Sequence, residues 1–176
     1  MASNDIAAAL ERVHAVLTRR PETGLHDDAS ATAQWRGGLG VEAWHANGTR
    51  VSTDMPRELG GSGEYVTPGW FFRAGVASCA TTSIAMAAAT AGIELSSLEV
   101  KASSRSDTRG VLGMADAAGE RVYAGPLGLV LDVRIAAAGV DAARLQALVD
   151  GALSHSPIPC AVAHPTALSI NVEISA

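Results

Sequence analysis

The chain has 176 residues, with 48% hydrophobic and 18% charged side chains, 4% aromatics and a formal net charge of -5. Its length and apolar content specify one folded domain with a sizeable core and exclude intrinsic disorder. An acidic chain whose only lysine is Lys101 carries no broad cationic field, so neither nucleic acid nor a membrane surface is an expected partner.

At the N-terminus, apolar residues at 6, 9, 10, 13, 16 and 17 recur at spacings of three and four, which predicts an amphipathic helix with Asn4 as its N-cap. Asp5, Glu11 and Arg12 break the basic-then-apolar order of a signal peptide, so a cytoplasmic protein is expected. Residues 1–20 read as a helical appendage, 21–28 as a linker and 29–176 as the main domain.

Short alternating segments follow at 31–36, 39–44 and 49–52. Gly37-Gly38 and Asn47-Gly48 separate them, and the second pair favours a tight hairpin, so the three predict an antiparallel meander. The stretch from Pro56 to Val66 is too rich in glycine for regular structure. Thr67-Pro68 then opens a long Ala-rich helix that stops at Gly92. Its apolar run is broken by Ser, Thr and Gly, which places it inside a fold rather than across a membrane. Strands are predicted at 95–104 and 127–135 around a loop at 106–125, then a helix capped by Asp141, a Pro-bounded turn at 155–160 holding Cys160, and a last strand at 167–174. The order of elements is that of an α+β fold.

Several chemistries lack their spacing. The histidines at 14, 26, 45, 155 and 164 form no zinc motif, although a site joining Cys160 to His155 or His164 stays open. Gly60-Gly61-Ser62-Gly63 has no nearby lysine for a phosphate, and no GxSxG elbow surrounds Ser62, Ser78 or Ser83.

Cys79 and Cys160 remain, and in a reducing compartment two such thiols are either inert core residues or a redox pair. Cys79 lies among small apolar helix residues, where a thiol is inert unless a cation is brought to it. Arg73 shares that helix but faces away, which leaves Arg36 in the first hairpin as the better donor, with Glu64 placed to orient it. An exposed turn arginine is the other reading of Arg36. A thiol in a rigid helix and a second in a movable turn suit a peroxidatic and a resolving role.

The run Pro56-Arg57-Glu58-Leu59-Gly60-Gly61-Ser62-Gly63, then Thr67-Pro68 and Ala74-Gly75-Val76-Ala77-Ser78-Cys79-Ala80, resembles the OsmC/Ohr family of osmotically inducible and organic hydroperoxide resistance proteins. The block from Cys160 to Ile174 is similar to the family's second cysteine block, and Asp107-Thr108-Arg109-Gly110 to a loop of some members. The resemblance spans residues 29–174. It implies an intertwined homodimer, with long central helices packed against antiparallel sheets and the active site at the subunit interface. It also implies Cys79 as peroxidatic thiol, Cys160 as resolving thiol, Arg36 as activating arginine, an apolar hydroperoxide substrate, a dithiol reductant, and no metal, haem or flavin. Family peroxidases carry a glutamate where this chain has Gly69, so Glu64 or Glu58 is the expected substitute for orienting Arg36. Two functions follow: a thiol peroxidase cycling through a Cys79–Cys160 disulfide, or a dimer that binds an apolar small molecule without turning over peroxide.

Overall fold

The computed structural model describes residues 3–164 and 166–175. Helix α1 (Ser3–Arg19) precedes strands β1 (Thr32–Gly37), β2 (Gly40–Trp44) and β3 (Arg50–Thr53), which pair in sequence order as an antiparallel sheet. Asn47-Gly48 closes β2 onto β3 as the sequence predicts. Gly48 takes a φ of 91°, a conformation that a side chain would strain, and the Asn47 side chain accepts from the Thr49 amide.

The connection from β3 to the long helix is irregular but fixed. Asp54 is buried and its carboxylate accepts from the Met55 and Ser62 amides, both at 2.7 Å, and from the Ser62 hydroxyl. A Cβ on Gly61 would lie 1.8 Å from the Met55 carbonyl oxygen, so only glycine fits that crossing.

Helix α2 (Pro68–Thr90) is capped by Thr67, whose hydroxyl accepts from the Trp70 amide. Long strands β4 (Leu95–Arg105) and β5 (Leu127–Ala137) pair antiparallel, and the one-turn helix α3 (Thr108–Val111) lies in the connection expected to be loop. Helix α4 (Ala142–Ser154), capped by Asp141, leads into α5 (Pro157–Ala163).

The core forms where α2 and α4 lie on one face of β4–β5. Ile84, Val149 and Ala152 pack with Leu98, Val100, Val133 and Ile135, while Ala88, Ile93 and Leu145 continue the layer toward Leu95 and Ala137. Residues on β5 alternate between this face and solvent, as a strand with one covered side must. By length and composition α2 meets the requirement for a membrane span. Its contacts with β4, α4, α1 and α5 make it the central helix of the fold instead.

The structure departs from expectation at two places near the C-terminus. Cys160 lies within α5 rather than in a turn, because Pro157 fits the first helical position. Residues 167–174 form no strand in this chain. Leu168, Ile170, Val172 and Ile174 alternate as predicted but are 77–88% exposed, since no sheet edge of the same chain meets them.

Candidate functional site

Cys79 occupies the middle of α2, with Ser83 one turn later and Met86 two turns later on the same face. The end of α4 and the start of α5 lie against that face. Between these helices Ser156 is the N-cap of α5, yet its hydroxyl does not cap the helix. Pro157 and Pro159 have no N–H at the first and third helical positions, and the Cys160 amide is taken up by the Ser156 carbonyl. The one remaining amide of that turn, Ile158 N–H, donates to Cys79 Sγ at 3.4 Å.

The Ser156 side chain turns inward instead. It is fully buried, with its Oγ 3.4 Å from Cys79 Sγ, and it accepts from the Ser83 hydroxyl at 3.0 Å. Two donors, one amide and one hydroxyl, are thus placed to hold a thiolate at Cys79.

Cys79 is half-buried and opens on a cavity of about 780 Å³ between α2 and α4. Met86, Ala87, Ala147, Leu148, Ala152 and Pro157 give it an apolar wall, and Thr82, Ser83 and His155 are its polar members. The shape admits a small, mainly hydrocarbon molecule with its reactive end at the sulfur. His155 Nδ1 lies 2.9 Å from both the Gly151 carbonyl and the Ser154 hydroxyl, which fixes the ring at the cavity edge.

Cys160 is free and half-buried, and its thiol donates to the Ser154 carbonyl at 3.4 Å. It lies two residues beyond the amide that touches Cys79, so one short segment joins the surroundings of both sulfurs. His164 turns its Nδ1 to the Cys160 carbonyl, 3.2 Å away, and not to the Cys160 sulfur.

Arg36 is placed elsewhere. It stands unpaired in the ladder between the Trp35–Val41 and Gly37–Gly40 pairs, an irregularity that redirects its side chain. Its guanidinium binds Glu42 on β2, which also accepts from Arg50 at 2.9 Å. Arg36, by its hydrogen bond, is the main cause holding the Glu42 carboxyl below the usual range. Within this chain Arg36 pairs with Glu42, and neither Glu64 nor Glu58 pairs with it among the described residues. Glu42 is the nearer carboxylate because it lies across the same hairpin. Arg36 also makes no hydrogen bond to Cys79 within the chain. Arg73 reaches Ser104 on β4 at 3.4 Å, in keeping with its outward spacing from Cys79. Asp107 and Arg109 pair with one another at the start of α3, and the Arg109 side chain holds the Asp107 carboxyl low.

Sequence reasoning missed Ser156, and saw Ser83 only as a hydrolase candidate lacking a base. The signal was present in Ser-Pro-Ile-Pro. Two prolines leave the first turn with one free amide, and with that amide turned to Cys79 the capping hydroxyl is free to turn elsewhere.

The chain matches the family model described as OsmC-like protein over residues 61–171. It is 32% identical over 133 residues to a protein of Xanthomonas axonopodis pv. citri named organic hydroperoxide resistance protein, a match covering 75% of this chain and 83% of that one. Among solved structures, an OsmC-like protein from Mycoplasma pneumoniae superposes with a TM-score of 0.65 at 16% identity, covering 86% of this chain and 98% of that one. A structure from Legionella pneumophila, described as an organic hydroperoxide resistance protein OsmC, gives 0.54 at 23% identity, with 78% and 90% covered. The family match includes the α2 segment that carries Cys79, the solved structures share the fold, and the chain belongs to the OsmC-like protein family.

Proposed function

We propose that this chain is a cysteine-dependent peroxidase acting on apolar organic hydroperoxides. The observation that carries this reading is the Cys79 sulfur, which accepts from the Ile158 amide, lies against the Ser156 hydroxyl and opens on an apolar cavity large enough for an alkyl or aryl hydroperoxide. The name of the Xanthomonas relative supports it. In the first step the Cys79 thiolate attacks the terminal oxygen of ROOH, and the O–O bond breaks. Cys79 becomes a sulfenic acid, and the departing alkoxide takes a proton to become ROH. The Cys160 thiol then attacks the sulfenic sulfur, releasing water and forming the Cys79–Cys160 disulfide. A dithiol reductant restores both thiols by exchange, which requires no metal or prosthetic group. A pair of thiols that must be reduced each cycle suits the cytoplasm.

The acting unit in this proposal is a homodimer. The alternating apolar side chains at 168–174 offer a strand for another chain's sheet edge, and Trp70, Phe71 and Phe72 are exposed at the start of α2. In such a dimer the partner subunit's Arg36, oriented by Glu42 rather than by Glu64 or Glu58, is the guanidinium that reaches Cys79.

Peroxide consumption with cumene hydroperoxide and a dithiol tests the reading on wild type, Cys79→Ser and Cys160→Ser. Cys79→Ser should lose activity by at least a hundredfold. One equivalent of peroxide should remove two free thiols from wild type and leave Cys160→Ser without a disulfide within the chain. Full activity in Cys79→Ser would overturn the assignment. A second reading, a dimer that binds an apolar ligand without turnover, is favoured by Gly69 at the family's glutamate position. It predicts ligand binding in the same cavity and no loss of thiols on peroxide addition.

A further inference from the structure

Among the described residues of the site Ser156 is a fully buried polar side chain, and it takes part in neither the O–O cleavage nor the disulfide-forming step of the peroxidase cycle. It joins three elements. Its Oγ accepts from Ser83 on α2, its hydroxyl lies against Cys79 Sγ, and its backbone begins α5. Because the Ser83 proton points to Ser156 Oγ, the proton of Ser156 is left for the sulfur. A thiolate takes up that donor together with Ile158 N–H, whereas a thiol brings a competing proton of its own.

We infer that the Ser156 hydroxyl activates Cys79 by donating a hydrogen bond to its thiolate, with Ser83 as the positioning residue that fixes the direction of that donation. This rests on the reading of Cys79 as nucleophile and deepens it. Among the described residues no guanidinium hydrogen bonds to the sulfur, and the glutamate position holds Gly69, so the cluster supplies from α2 and the α4–α5 turn a thiolate donor additional to any arginine of a partner. Each hydroxyl in the chain Ser83, Ser156, Cys79 polarises the next, so the effect of Ser83 is felt at the sulfur without contact. Burial of Ser156 strengthens it, because water does not compete for its proton.

The test reads thiolate chemistry apart from peroxide chemistry. Reduced full-length protein is alkylated with iodoacetamide from pH 5 to 10, and mass spectrometry follows the Cys79 peptide. Ser156→Ala should move the inflection of the rate–pH curve upward and slow alkylation at neutral pH by about tenfold, the size expected for one lost hydrogen bond to a charged acceptor. A change in packing or access alone scales the whole curve and leaves its inflection in place, and that result overturns the inference. Ser83→Ala, whose side chain is only half-buried, should move the inflection the same way by about a third of that amount, and it decides the matter should Ser156→Ala fail to fold. An unmoved curve in Ser83→Ala then overturns the inference. Peroxide turnover is measured in parallel. A shifted alkylation curve in Ser156→Ala beside a wild type that consumes no peroxide upholds Ser156 and removes the peroxidase reading. An unshifted curve beside active wild type removes Ser156 and upholds the peroxidase.

Discussion

Gly69 is the second helical residue of α2, two positions after the Thr67 cap. A Cβ there would meet only Arg73 Nη1 at 3.8 Å and Thr67 Oγ1 at 3.9 Å, both ordinary contacts. Gly69→Glu should therefore stabilise the protein by about 1 kcal/mol, through better helix propensity and a negative charge at the helix N-terminus. The glutamate also stands one turn from Arg73, its natural pair on the helix surface. Denaturant unfolding midpoints of the two proteins measure this. A midpoint that does not rise would mean that the glycine serves a local backbone need that its neighbours do not reveal. In the core the same scale gives the opposite sign. Ile84 is completely buried between α2, α4 and the β4–β5 sheet, and Ile84→Ala should cost about 2–5 kcal/mol by leaving a cavity there.

Among the elements, the segment between β3 and α2 has the clearest dependence on pH. The Asp54 carboxyl is held below the usual carboxylate value of 3.8, first by the Ser62 hydroxyl and then by the Met55 amide. A carboxyl with a lowered value in the folded state contributes stability above its unfolded value and loses it as pH falls through the folded one. Wild type should thus lose urea resistance between pH 5 and pH 3 more steeply than Asp54→Asn, whose amide does not titrate. Parallel slopes for the two would show that the loop does not depend on the charge of Asp54. The same reasoning explains why α5 forms at all in seven residues. Its prolines remove two unmatched amides, and Cys79 takes the third.

At the scale of the whole molecule, the single chain leaves unusual amounts of apolar surface uncovered. Every residue of β1 is exposed, as are Trp70, Phe71 and Phe72 at the start of α2 and four large aliphatic side chains of the C-terminal segment. In the homodimer proposed for this protein, a second copy of the chain would cover these surfaces. Ile170→Asp places a charge in the middle of the alternating segment and should shift the protein toward monomer in sedimentation velocity at micromolar concentration. If the dimer persists unchanged, residues 168–174 lie outside the interface.

Much of the fold was legible because it rests on local chemistry. The Asn47-Gly48 hairpin, the Thr67-Pro68 start of α2, its glycine stop and the Asp141 cap are each decided within a few residues, and hydrogen bonds across short distances enforce them. Cys79 and Cys160 stood out for the same reason, since two thiols in a chain of 176 residues are visible without a fold. The Arg36–Glu42 pair was not legible because ion pairing depends on which carboxylate the hairpin brings across. Glu42 lies opposite on β2, while Glu58 and Glu64 lie in a loop anchored by Asp54. The alternation at 167–174 is present as a pattern but not as a paired strand, because within the chain these residues do not lie against a sheet edge. Ser156 is the strongest case. Its serine is ordinary in sequence, and only the approach of α5 to α2 gives the hydroxyl a sulfur to face. The sequence by itself determined the longer elements up to α4, the family resemblance and the two thiols. The tertiary structure alone decided which groups surround Cys79, because hydrogen bonds between distant residues arise from packing and not from neighbours along the chain.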